Sequence, residues 1–525
     1  MTHLTKLIGQ MRAGQVFMLL LIGTVALSAG LRLFDLSAAS LSADEAVTTA
    51  FAQLPWSAIL FDRIDNHPVL SFLIQKAWWQ IAPDTDWLRL PSAVAGVGSV
   101  LVAGLMMRDI VSERAGLLAA LLTSLSAALI FYSQDARMYS FLVFGLFLAL
   151  WGQMGLSGGG RQSRLAYGAL YAIGGAIAIH SHLLGLAAMA FLALPACLLM
   201  LTGPKGGLKM TLPWLGANIC LLFLALPWLV QIPNATGTFP GYGRDLPGLA
   251  DMIWYFRGAT GIPGLGPLSA VFELGLYGSA LWGLLALWRG GSRPQAASLM
   301  GLIVLYPVFV FAMTLRQDLL SVRAFLPAIV GVLPAASIAL ANLTGRSRLI
   351  LPVLLGAMSV SAIHLLSTVN RFENYGGAFT AVDRLGYESA PVVTCNHFWA
   401  AGLWEARPES EIYLYRGDAV FRYPGRSYWE AARQGMSQLR QASADDLERF
   451  IGSQYRIRGG LGAALGDRAT VVLIWPYCPA TLDDDIRTAL GDLGFSQEAR
   501  LTILDGAPTD IMIETPQTEL SVFDR

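Results

Sequence analysis

Residues 132–141 read YSQDARMYSF, which sets Asp135 and Arg137 between two apolar runs, AGLLAALLTSLSAALIF and LVFGLFLALWGQMGL. Upstream, Asp44 and Glu45 stand side by side in SADEAVTTA, and NHPVL carries His67. Lys76 follows in LIQKAWW, and Arg323 lies in SVRAFLPA. A carboxylate so placed can take a proton from a hydroxyl. Guanidinium, ammonium or imidazole groups near it can hold an anion and stabilise developing negative charge. Each residue alone is adequately explained as a wet helix end. Several such ends, with charge directly against apolar sequence, favour a shared polar site.

The elements that must position these groups are membrane helices. Of 525 residues, 54% are apolar and only 14% charged, with a mean hydropathy of +0.53; a soluble chain is about one quarter charged. Net charge is zero and no basic tail occurs, which argues against a nucleic-acid partner. Four cysteines without CxxC spacing offer no zinc site. A bilayer core needs about 20 apolar residues per helix. About eleven runs meet this, near 15–34, 91–107, 115–131, 138–156, 166–181, 183–202, 211–230, 269–288, 296–314, 323–342 and 349–368. Lys6 and Arg12 before the first run would also suit a signal peptide, but the further spans favour an uncleaved helix.

Alternate loops carry basic pairs: Lys6 and Arg12, Arg108 and Arg114, Arg161 and Arg164, Lys205 and Lys209, Arg289 and Arg293, Arg346 and Arg348. These loops should be cytoplasmic. Asp44, His67, Asp135, the pair His180 and His182, and the RQDLLSVRAF segment with Arg316, Asp318 and Arg323 then all lie at outer ends. So does everything after residue 369. The expected fold is mainly α: a polytopic helical bundle over 1–369 and a soluble extracytoplasmic α/β domain over 370–525. Candidate strands there are 391–395, 411–415, 470–475, 499–504 and 510–514, with helical patterns near 427–440, 444–453 and 482–493. Cys395 and Cys478 could pair in an oxidising compartment. Residues 46–66 suit a helix lying in the interface. The Gly/Pro-rich stretch 232–268, with Phe239, Tyr242, Trp254, Tyr255 and Phe256, suits a lid.

Four stretches resemble the polytopic glycosyltransferases that use lipid-phosphate sugars, related to protein O-mannosyltransferases and lipid A aminoarabinose transferases. They are the acidic pair Asp44-Glu45, NHPVLSFLIQKAWW followed by WLRLPSAVAGV, YSQDARMYS, and VRAFLPAIVGVLPA. They occur in order and span roughly residues 30 to 340. Many relatives read His-Pro-Pro where this chain has His67-Pro68-Val69. The resemblance implies a multi-pass protein of a bacterial inner membrane. It would transfer a sugar from a polyprenyl-phosphate donor to an envelope lipid, glycan or protein.

The chemistry of such a transfer assigns roles. A polyprenyl phosphate is already acidic and leaves without a general acid; it needs cationic stabilisation. The acceptor needs one carboxylate as base, unlike glycoside hydrolysis with its two. Asp44 fits the base, Glu45 could orient it or share the role, and Asp135 would pair with Arg137 or another cation near the site. His67, Lys76, Arg137 and Arg323 are candidates for the phosphate, with the resemblance weighting His67. A loop histidine capping a turn competes for His67, a snorkelling arginine for Arg137, and a structural bridge for Arg89. No cofactor is called for, and a divalent cation is not indicated. The rival readings are a ligase of polyprenyl-diphosphate glycans and a transporter or flippase of lipid-linked sugar; the latter should show inverted repeats, which are not evident.

Overall fold

The computed structural model describes residues 13–37, 41–61, 67–158, 160–202, 207–230, 248–315, 321–367, 375–395, 397–417, 419–425, 427, 455–475, 480–504 and 517–525. The first helices are α1 (Ala13–Leu33), α2 (Ala43–Gln53), α3 (Trp56–Phe61), α4 (Leu70–Trp79) and α5 (Leu90–Ile110). Next come α6 (Glu113–Leu125), α7 (Ala127–Ser133), α8 (Tyr139–Leu156), α9 (Arg164–Ser181), α10 (Leu183–Thr202) and α11 (Gly207–Leu229). The bundle continues with α12 (Leu249–Thr260), α13 (Leu268–Arg289), α14 (Arg293–Met300), α15 (Tyr306–Thr314), α16 (Leu326–Ala341) and α17 (Ile350–Ser367). A five-residue π-helical stretch, Gly301–Leu305, joins α14 to α15.

Among the described residues, nine helices are long and apolar enough to cross a membrane, or ten if α6 and α7, bent by 61°, form one span. The chain is a multi-pass membrane protein. Eleven spans were expected. The remaining one is α9, which is helical but diluted by Arg164, Tyr167, Tyr171 and His180. It packs tightly on α8: a Cβ added at Gly145 would lie 2.7 Å from the Ala178 and Gly174 backbones. Small residues permit such contact where lipid gives helices no hydrophobic drive to associate. Residues 322–341 are 94% buried against 22% for α13, so α16 runs through the middle of the bundle while α13 turns Leu274, Leu281 and Trp282 outward.

The C-terminal part holds a six-stranded sheet in the order β3-β2-β1-β4-β6-β5. The strands are β1 (Val392–Thr394), β2 (Ile412–Tyr415), β3 (Val420–Arg422), β4 (Thr470–Trp475), β5 (Ser496–Leu504) and β6 (Gln517–Asp524). β1 pairs in parallel with β2 and β4, whereas β3, β5 and β6 pair antiparallel. Strands β1, β2, β4 and β5 coincide with the expected ones. β3 and β6 were missed, and 510–514 lies outside the described residues. So do the expected helical patterns near 427–440 and 444–453, apart from residue 427; the helices here are α18 (Tyr375–Arg384), α19 (His397–Ala406), α20 (Gly460–Leu465) and α21 (Ala480–Asp492), the last covering the pattern near 482–493.

In place of one helix over 46–66, the segment breaks at Pro55 into α2 and α3, with 62–66 outside the described residues, and Ala46, Val47, Ala50, Phe51 and Ile59 join one apolar core with Tyr375, Trp399, Leu403, Val472 and Val522. The helix that begins with Asp44 and Glu45 is thereby clamped under the sheet domain.

Candidate active site

Local sequence starts α2. Ser42 caps the helix: Glu45 N–H donates to Ser42 Oγ (3.2 Å), and Ser42 N–H donates to Glu45 Oε2 (2.9 Å). This is the reciprocal box that the S-x-x-E spacing of Ser42 and Glu45 encodes, and it puts Asp44 and Glu45 in the first turn, where the helix dipole favours negative charge. Adjacent positions on a helix do not share a face, so the two carboxylates meet different surroundings.

Glu45 points inward and is 1% exposed. Arg89 donates to it from Nε (2.7 Å) and Nη2 (2.8 Å), and Ala136 N–H donates to Oε1 (2.9 Å). Arg89 also donates to the Leu36 carbonyl at 2.9 Å. Burial alone would raise the Glu45 pKa, but Arg89 and these hydrogen bonds outweigh it and hold the carboxyl below its ordinary value. With four donors on its two oxygens, Glu45 has no room to accept a proton from substrate. These contacts make it a bridge between α2, α5 and the YSQDARMYSF turn.

Asp44 is different: its side chain keeps 40% of its exposure. Arg323 donates from Nη1 to Oδ2 at 3.2 Å, and Arg137 Nε lies 3.8 Å from the same oxygen. Arg137 is 4% exposed, donates to the Asp44 carbonyl and to Thr48 Oγ1 (both 3.3 Å), and sits 5.8 Å from the Phe72 ring. Arg323, half exposed, also donates to Tyr139 Oη at 3.0 Å. Desolvation pushes the Asp44 pKa up, yet Arg137 and then Arg323 hold the carboxyl below the usual range. Two cations face one carboxylate, so this corner carries surplus positive charge.

His67 joins through its ring, 5.0 Å from His182, which lies 5.9 Å from Tyr139. Burial, then Arg137 and Arg323, drive the His67 pKa down to about 3. Its imidazole is neutral at physiological pH and offers a phosphate one N–H rather than a charge. Asp135 is 3% exposed, and its Oδ1 is buried without a hydrogen-bond partner. Burial first, then Glu45, raise its pKa well above normal, against the opposing charges of Arg137 and Arg89, which favours its neutral form. The hydrogen bonds of Arg137 go to the Asp44 carbonyl and Thr48. Lys76 stands apart, its Nζ 3.4 Å from the Ala52 carbonyl and 5.3 Å from the Trp56 ring. Sequence reasoning left out Tyr139, Thr48 and Phe72, and placed His182 only among the polar outer ends; Tyr139 was legible inside YSQDARMYSF. Arg316 and Asp318 lie outside the described residues.

Two crystal structures of ArnT from Cupriavidus metallidurans align with nearly the whole chain. The one bound to undecaprenyl phosphate is 12% identical, covers 95% of this chain and 97% of its own, and gives a TM-score of 0.57. The apo form is 12% identical, covers 98% of both chains and gives 0.59. This chain has the fold of ArnT. No protein-family model and no curated protein sequence matches it. The likeness to ArnT extends over both the bundle and the sheet domain, and it agrees with the resemblance carried by the four motifs.

Proposed function

We propose that this chain is a membrane glycosyltransferase that moves a sugar from a polyprenyl-phosphate carrier to an acceptor outside the cytoplasm, with Asp44 as general base. The observation that carries the reading is Asp44, open to solvent and held between Arg137 and Arg323 on a fold shared with an ArnT crystallised with undecaprenyl phosphate. Unliganded, Asp44 is a weak base because both guanidiniums stabilise its charge. A phosphate arriving at Arg137 and Arg323 draws them toward itself and adds its own negative charge nearby. Both effects raise the basicity of Asp44, which then takes the proton as the acceptor oxygen bonds to the anomeric carbon. The bond from that carbon to the phosphate oxygen breaks, and the arginines stabilise the departing phosphate. His67 supplies one further N–H. Lys76 lies behind α2 as a secondary candidate for the carrier, and Asp135 stays neutral.

The extracytoplasmic placement draws support from the basic-pair loops and from Cys395, which is disulfide-bonded while Cys197 and Cys220 are free; such a bond suits an oxidising compartment. Cys478, its expected partner, lies outside the described residues. The sheet domain, clamped on α2, suits acceptor binding. The test is transfer from a radiolabelled polyprenyl-phosphate sugar by purified protein in liposomes. Wild type should transfer and monodisperse Asp44→Asn should not; undiminished transfer in the variant would remove Asp44 from the base role. A reporter active only outside the cytoplasm should work after residue 369 and be silent within 203–209.

A further inference from the structure

Arg32 is fully buried in the last turn of α1 and meets no carboxylate among the described residues. Its partners are neutral oxygens. Nη2 donates to the Thr123 carbonyl (3.0 Å), Nη1 to the Ser124 carbonyl (3.1 Å) and to Ser28 Oγ (2.8 Å), and Nε to Ser133 Oγ (3.2 Å). Thr123 and Ser124 close α6, where extended Ser126 breaks the span. A helix end leaves its last four carbonyls without partners, and within a membrane such groups must be satisfied by protein. Arg32 answers two of them. Its fourth contact, Ser133, ends α7 and is the second residue of YSQDARMYSF.

A second tie runs in the opposite direction. Gln134 Nε2 donates to the carbonyls of Arg32 (3.1 Å) and Phe34 (2.9 Å). Two residues on, Ala136 N–H donates to Glu45, and Arg137 follows with its contacts to Asp44. The junction is closely packed: a Cβ at Gly96 would overlap Ser133 Oγ and lie 3.0 Å from Arg32 Nε. A buried cation is expensive, and here a planar fork spans a broken helix in a way that a single ammonium could not.

We propose that Arg32 is a positioning residue: it holds the α6–α7 break closed from α1 so that the following turn presents Arg137 to Asp44. The kinetic consequence rests on the glycosyltransferase reading; the structural one does not. Loss of the fork should loosen residues 134–138 and let Arg137 drift from Asp44.

The test uses full-length Arg32→Gln and Arg32→Lys in lipid nanodiscs; if the first does not fold, the second carries the test. Hydrogen exchange of the amides at 134–138 should speed up in the variants while β4 and β6 keep wild-type protection. Transfer should fall on the order of 10- to 100-fold, the cost of misplacing a reacting group by about 1 Å. The acid limb of kcat/KM should move to higher pH, because Asp44 loses the cation that favours its ionised form. Lysine should restore part of the rate. Wild-type exchange in a folded variant would overturn the proposal. So would faster exchange with an unmoved acid limb, since a purely structural role lowers the amount of active protein without shifting its pH profile. Faster exchange in a protein whose wild type shows no transfer would sustain the positioning and defeat the glycosyltransferase reading instead.

Discussion

Two ion pairs begin on neighbouring residues of α2 and differ in almost every respect. Glu45 and Arg89 are 1% and 4% exposed, doubly hydrogen-bonded and sealed by the Ser42 and Ala136 amides. Asp44 keeps 40% exposure and shares one oxygen between Arg323 at 3.2 Å and Arg137 at 3.8 Å. The first pair has every lone pair engaged and no access, which makes it a structural joint. The second has looser geometry, an open side and surplus positive charge, which makes it receptive to an anion and able to exchange a proton. One peptide bond separates a sealed carboxylate from an open one, and the helix decides which is which.

The sharpest way to break this comparison is to remove each carboxylate in turn. Asp44→Asn should lower transfer by about 10²–10⁴-fold, the usual worth of a general base, with thermal stability in detergent unchanged. Glu45→Ala should do the reverse. It strands Arg89 in the core and should cost about 3–5 kcal/mol of stability, read as a large drop in unfolding temperature. Should Glu45→Ala stay as stable as wild type while losing transfer, the assignment of roles would be inverted.

Smaller effects separate the two arginines. Arg137→Ala removes a buried charge-assisted contact and should weaken carrier-phosphate binding by about 2–3 kcal/mol, with lysine restoring only part. Arg323→Ala acts at a half-exposed, solvent-screened site and should cost nearer 1 kcal/mol; titration with polyprenyl phosphate gives both numbers. In each variant the acid limb of kcat/KM should move up, because the Asp44 carboxyl, held below its usual range by these cations, returns toward it. A limb that stays in place in both would show that Asp44 is not the titrating base.

The smallest effect concerns Asp135. Its folded pKa is raised, so ionisation of the unfolded chain above about pH 4 draws the equilibrium toward unfolding. Asp135→Asn should therefore match or slightly exceed wild-type stability at pH 7, and lose that advantage below about pH 4. A marked destabilisation at pH 7 would mean that the carboxyl is ionised and paired.

Hydrophobic run length made the membrane class and most span positions legible in the sequence, because lipid imposes length and composition directly on each helix. α9 blurred the count, since Gly, Tyr and His that serve close packing also lower its hydropathy. The sheet domain was legible where strands are β-branched runs, as in TVVLIW, and missed at β6, where QTELSVFD mixes charge into a strand that β4 and β5 hold in place by antiparallel pairing.

Asp44, His67, Arg137 and Arg323, named from the sequence, converge in space, but their partnerships were not legible. Proximity in sequence suggested Asp135 for Arg137 and a supporting role beside Asp44 for Glu45. The tertiary structure gave Arg137 to Asp44 across 93 positions and Glu45 to Arg89 across 44. It buried Asp135 with one oxygen lacking a hydrogen-bond partner and sent Arg32 to a helix break 91 residues downstream. Sequence determines which side chains can carry charge and at which helix ends they stand. Only packing decides which charges lose their water, and that loss separates a joint from a reactive group.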